Sequence, residues 1–96
     1  MSWNNYGLNE HDDTAQMQRF SGIFAARFQW RSEKERMIFE TTVKNTLMWT
    51  DKSDKYASDF CSVTGYDRAE FNQLMSRMFY EWSEYVADYK KRNAIK

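Results

Sequence analysis

Residues 71 to 89 read FNQLMSRMFYEWSEYVADY, a stretch with neither glycine nor proline. Its large side chains Phe71, Met75, Met78, Trp82, Tyr85 and Tyr89 recur at alternating steps of four and three. On an α-helix that spacing holds them within about 40° of one line, as a seam packed against other helices requires. Leu74, Phe79 and Val86 flank the seam, while Tyr80 points the opposite way. Asp67 with Glu70 offers a cap and an acid at the start, so a helix of about 26 residues is predicted.

Working back from this helix, Gly65 reads as a left-handed stop for a shorter one capped by Ser53 or Asp54, with Tyr56, Phe60 and Val63 on its inner side. Ser32 and Glu35 form a capping-box pattern, so another helix is expected from there to about Trp49, its core face made by Phe39, Val43 and Leu47. Met37, Ile38, Met48 and Trp49 lie elsewhere around it. Thr41, Thr42, Val43 and Thr46 would also suit a strand, so residues 37 to 50 are where a β element would enter. A first helix is expected from about Asp12, Asp13 or Thr14 to Arg31, with Met17, Phe20, Phe24 and Phe28 as its core stripe. Ile23 and Trp30 fall outside that stripe. Residues 1 to 11, including Trp3 and Tyr6, read as a polar arm.

The expected fold is therefore all-α: one domain over residues 1 to 96, a compact bundle of about four helices with the C-terminal helix as its spine. Its apolar content is unusual in kind, with seven Phe, six Tyr, four Trp and six Met against three each of Leu, Ile and Val. Rings and methionines must fill the core, and a surplus of both makes a contact surface. The 14 basic and 14 acidic side chains cancel. That weighs against affinity drawn chiefly from neutralising phosphates.

Cys61 stands alone, so no internal disulfide can form, and a reducing, cytoplasmic setting fits. No secretory signal or membrane span is read. A membrane-surface role is disfavoured because the final helix bears Glu81, Glu84 and Asp88 beside its apolar face. No catalytic constellation is found: His11 is the single histidine, and the run from Glu10 to Asp13 reads as a helix start, with no metal expected there. Three scattered glycines cannot make a phosphate loop, so neither enzyme nor cofactor is expected.

Two binding roles remain. In the first, the chain binds another protein or protein complex through Arg19, Ile23, Arg27, Trp30 and Arg31 on the first helix, with Trp49 and Tyr80, and it self-associates as a dimer or higher. Such a profile suits a phage or mobile-element protein that inhibits a host enzyme or defence complex, for example an anti-CRISPR or anti-restriction protein. In the second, residues 57 to 74 form a helix-turn-helix with Gly65 at the turn, and Arg68, Asn72, Gln73 and Arg77 meet DNA. The acids Asp67 and Glu70 at the groove-facing end oppose that role.

Overall fold

A computed structural model describes residues 10–94, and the side chains of residues 14–92. Four helices follow in order: α1 (Glu10–Ala26), α2 (Glu33–Leu47), α3 (Ser53–Thr64) and α4 (Arg68–Ala94), with no strand among the described residues. The expected arm up to residue 9, with Trp3 and Tyr6, lies outside them, whereas Glu10 and His11 belong to the first turn of α1.

The ambiguous Thr-rich segment is helical, and its buried hydroxyl, that of Thr42, finds acceptors that a helix supplies. Thr42 is fully buried, and its Oγ1 donates to the Ile38 carbonyl at 2.6 Å and to the Tyr56 carbonyl of α3 at 3.2 Å. A strand would leave that hydroxyl without its i−4 acceptor. Asn45 Nδ2 likewise donates to the Thr41 carbonyl at 2.9 Å.

Ser32 caps α2, its Oγ accepting from the Glu35 N–H at 3.3 Å. The Glu35 carboxylate reaches back one residue further than a capping box requires, to the Arg31 N–H at 3.0 Å and the Arg31 guanidinium. At α4 the box is reciprocal: the Asp67 N–H donates to Glu70 Oε1 at 3.1 Å and the Glu70 N–H to Asp67 Oδ1 at 2.8 Å. Ser53 was expected as a cap but is the first residue of α3, and Lys52 precedes it with no side-chain bond. The Ser53 hydroxyl instead donates to the carbonyls of Asn45 and Thr50, both at 2.9 Å, which ties the α2–α3 loop together.

One contiguous core joins Met17, Phe20 and Phe24 of α1 to Phe39, Val43 and Leu47 of α2, Ala57 and Phe60 of α3, and Phe71, Met75, Met78, Trp82 and Val86 of α4. The buried line of α4 follows the expected seam as far as Trp82 and then passes to Val86, while Tyr85 is half-buried. A straight helix drifts in this sense from a 3.5-residue repeat. On α3 the buried side is Ala57, Phe60 and Thr64, and Tyr56 and Val63 sit at its edges. Ala57 is small enough to let α3 lie close on α2, and that contact overrides the larger Tyr56. Backbones approach most closely at α1–α2 and α2–α3, whereas α4 touches the other three through long side chains.

The first helix ends at Ala26, five residues before the expected Arg31. The Trp30 indole N–H donates to the Ala25 carbonyl at 2.8 Å, and its ring lies 4.9 Å from Phe39 and 5.9 Å from Phe60 by centroid. Keeping residues 27 to 30 helical would carry that ring away from both partners. Two further ties hold the same loop: Arg27 pairs with Glu81 of α4, and Arg31 donates to the Thr64 carbonyl of α3 at 3.0 Å.

Replacing Trp30 with Ala is expected to destabilise the fold by about 3 kcal/mol, read from urea unfolding midpoints. The carboxyls of Glu35 and Glu81 are both held below the usual 4.5, chiefly by the Arg31 and Arg27 guanidiniums respectively. Folding keeps these groups ionised, so the stability they contribute is present above that value and is lost as pH falls through the lowered ones. The melting temperature should drop on acidification below pH 4.5, and Glu81→Gln should flatten that drop.

Candidate functional site

Of the seven side chains expected at a partner surface, three have structural work within the fold. Trp30 is packed among Phe28, Phe39, Phe60 and Tyr66, so it is not the outward anchor its spacing suggested. Arg27 bonds to Glu81 and lies 5.7 Å from the Phe24 ring centroid. Arg31 is held by Glu35 and Thr64.

Arg27 and Arg31 keep exposed side chains all the same, and the other four also face solvent, though not together. Ile23 and Arg19 border a recess of about 290 Å³ between α1 and α4, with Gln16, Tyr85, Tyr89 and Arg92. Burial pushes the Tyr85 phenol up, and its hydroxyl donates to Gln16 Oε1 at 2.6 Å. Tyr80 is 64 % exposed on the outer side of α4, its phenol raised by a hydrogen bond to Glu84. Trp49 is 66 % exposed at the end of α2.

Two of the four residues expected to read DNA, Arg68 and Arg77, are engaged by their own chain. Arg68 bonds to Asp54 at 3.1 Å and lies over the Phe71 ring, and Arg77 bonds to Glu81 at 3.0 Å with its guanidinium over Phe28. Asn72 is exposed, and Gln73 borders a shallow recess of about 390 Å³ with Tyr66, Glu70, Leu74 and Arg77. The tight corner itself is present: Gly65 adopts φ 85°, and its N–H closes on the Cys61 carbonyl at 2.9 Å.

A largely apolar surface lies on α2. Met37 is 55 % exposed and lines a groove of about 440 Å³ with Lys34, Ile38, Thr41 and Tyr56. Trp49 follows at the C-terminal end of the same helix. Its φ is 57°, and among the described residues it alone combines a side chain with a left-handed backbone.

The hydrogen bonds explain that backbone. The Trp49 N–H donates to the Thr46 carbonyl at 3.3 Å and the Thr50 N–H to the Asn45 carbonyl at 3.3 Å, which is the paired closure of a Schellman helix end. Glycine is usual at this position because a Cβ there costs about 1–2 kcal/mol. An indole in that place, pointing mostly into water, works against stability on both counts.

No family model, curated protein or solved structure matches the chain. Assignment of the site therefore rests on its own chemistry. Burial raises the Cys61 thiol, so it stays protonated at neutral pH and is a poor nucleophile. Among the described residues no cluster of His, Cys, Asp and Glu is placed to hold a metal, and no helix is long and apolar enough to cross a membrane.

Met37, Ile38 and Tyr56 were not expected as a site. The signal for the first two was present, as apolar residues lying off the core face of α2, but Tyr56 was assigned to the core. Trp49→Gly is expected to raise stability by about 1 kcal/mol, seen as a higher urea midpoint with an unchanged slope.

Proposed function

We propose that the protein is a small binding module that acts by covering part of another protein, through the outward side of α2 and the indole at its end. The observation that supports this most directly is Trp49: a large ring, two-thirds exposed, held where the backbone favours glycine. Folding draws no evident benefit from it. Residues that oppose stability in this way are characteristic of surfaces kept for contact, and Trp is the side chain most enriched among contacts that dominate binding.

Within that role, a phage or mobile-element inhibitor of a host enzyme or defence complex, of the anti-CRISPR or anti-restriction kind, suits a chain of this size and aromatic make-up. Ile23 and Tyr80 belong to other sides of the molecule and serve as secondary contacts. DNA reading through the α3–α4 corner is less well supported, because Asp54 and Glu81 occupy the arginines that would meet phosphates or bases.

Affinity capture of tagged protein from its native cell extract, with and without nuclease, tests this against the Trp49→Gly variant. The expected result is a defined protein that survives nuclease and is lost with the variant. Recovery of nucleic acid, or a partner retained undiminished by Trp49→Gly, would overturn it.

A further inference from the structure

The recess between α1 and α4 gathers positive charge from both helices. Arg19 and Arg92 line it with Gln16, Ile23, Tyr85 and Tyr89. Both guanidiniums act on one phenol: burial raises Tyr85, and Arg19 and Arg92 each pull in the opposite direction. They therefore converge on the same point from different helices. Arg19 is exposed and takes part in no ion pair or hydrogen bond among the described residues. Arg92 meets Asp88 through Nε at 2.9 Å, in an exposed pair of the kind that holds its partners only weakly.

Few acids oppose these cations. Between Thr14 and Ala26, α1 carries none. On α4, Glu81 is bonded to Arg27 and Arg77, and Glu84 to Tyr80. Glu40 of α2 lies beside Gly22 but is bonded to Arg36. Among the described side chains, Asp88 is thus the carboxylate set against two guanidiniums, and the recess keeps a positive charge in a chain that is neutral as a whole. A further donor faces it: the Tyr85 hydroxyl bonds to Gln16 Oε1 at 2.6 Å, which leaves the Gln16 amide N–H groups to donate.

We propose that this recess is a binding site for a small phosphomonoester, its phosphoryl group held between Arg19 and Arg92 and its organic part lying against Tyr85, Tyr89 and Ile23. The site is separate from the outward side of α2 and does not depend on it. A guanidinium presents a planar fork that matches phosphate and carboxylate oxygens. One fork satisfies a flat carboxylate, whereas two forks on different helices, with an amide beside them, suit a tetrahedral group with three terminal oxygens. The volume of about 290 Å³ lies at the lower end for small-molecule pockets, about 300 Å³, and leaves room for a ring beside the phosphate. A nucleic-acid strand would need a positive track several phosphates long, and Arg19 is the one basic residue of α1 from Thr14 to Ala26.

The test titrates the full chain, at fixed ionic strength, with phenyl phosphate, inorganic phosphate and benzoate, followed by calorimetry and amide resonances. Phenyl phosphate should bind most tightly and shift residues 16 to 23 and 85 to 92, with inorganic phosphate weaker and benzoate at least about tenfold weaker. Arg19→Gln and Arg92→Gln should each weaken phenyl phosphate about tenfold. Both residues are exposed, so neither exchange reaches the core, and circular dichroism checks the fold of each variant. Arg19→Lys, which keeps the charge without the fork, should weaken it too. Lys90→Gln, the same change of charge on another side of α4 by helical spacing, should leave it unaltered.

Benzoate equal to phenyl phosphate, no binding of either phosphate, or shifts centred elsewhere would overturn the assignment. So would an equal loss with Lys90→Gln, which would mean attraction to net charge alone.

Discussion

The fold turns on where Trp30 goes. Its indole N–H is spent on the Ala25 carbonyl, which ends α1, and its ring enters a chain of aromatic contacts running from Phe28 through Phe39 and Phe60 to Tyr66. One side chain thereby touches the α1–α2 loop, α2, α3 and the α3–α4 turn. The loop it occupies is closed again on either side by the Arg27 pair to α4 and the Arg31 bond to the end of α3. Ring pairs of this kind add about 0.5–1.5 kcal/mol each beyond the area they bury, so a connected set fixes helix positions as well as stabilising them.

With so few aliphatic residues, the core is made of pieces too large to be interchangeable. Where two helices must lie close, a small residue is used, as Ala57 is between α3 and α2; where they stand apart, Met75, Met78 and Trp82 fill the space beneath α4. Buried polar groups are satisfied locally: Ser21, Thr42 and Thr64 each return a hydroxyl to the carbonyl one turn back. The buried Glu35 carboxylate is held by Arg31, and most of the other ion pairs run between residues three or four apart on one helix. Arg27 and Arg31 hold the α1–α2 connection while their side chains stay exposed.

The surface left over is divided in character. The recess between α1 and α4 is polar, and the outer side of α4 carries one isolated phenol, Tyr80. On α2 an apolar groove lies along the helix, and an exposed indole with a left-handed backbone stands at the helix end. A helix end closed around tryptophan rather than glycine gives up stability.

Much of the fold was legible in the sequence. Four helices, the α4 seam through Trp82, the αL stop at Gly65 and the caps at Ser32 and Asp67 all follow from local rules, because periodicity and capping depend on residues within one or two turns of each other. Exposed Trp49, Ile23 and Tyr80 were legible too, since each lies off a clear core stripe. What only the tertiary structure decided was the fate of residues that local rules leave free. Trp30 lies outside the α1 stripe and reads as outward, yet the rings of Phe39 and Phe60, distant in sequence, draw it in and shorten the helix. Tyr56 reads as core, yet Ala57 takes the close contact with α2 and leaves Tyr56 at the rim of the groove. The left-handed backbone at Trp49 likewise depends on where α3 must begin, and no propensity of tryptophan announces it. Helical spacing ranks the faces of each helix, but which face meets a neighbour is set by how closely two backbones can approach.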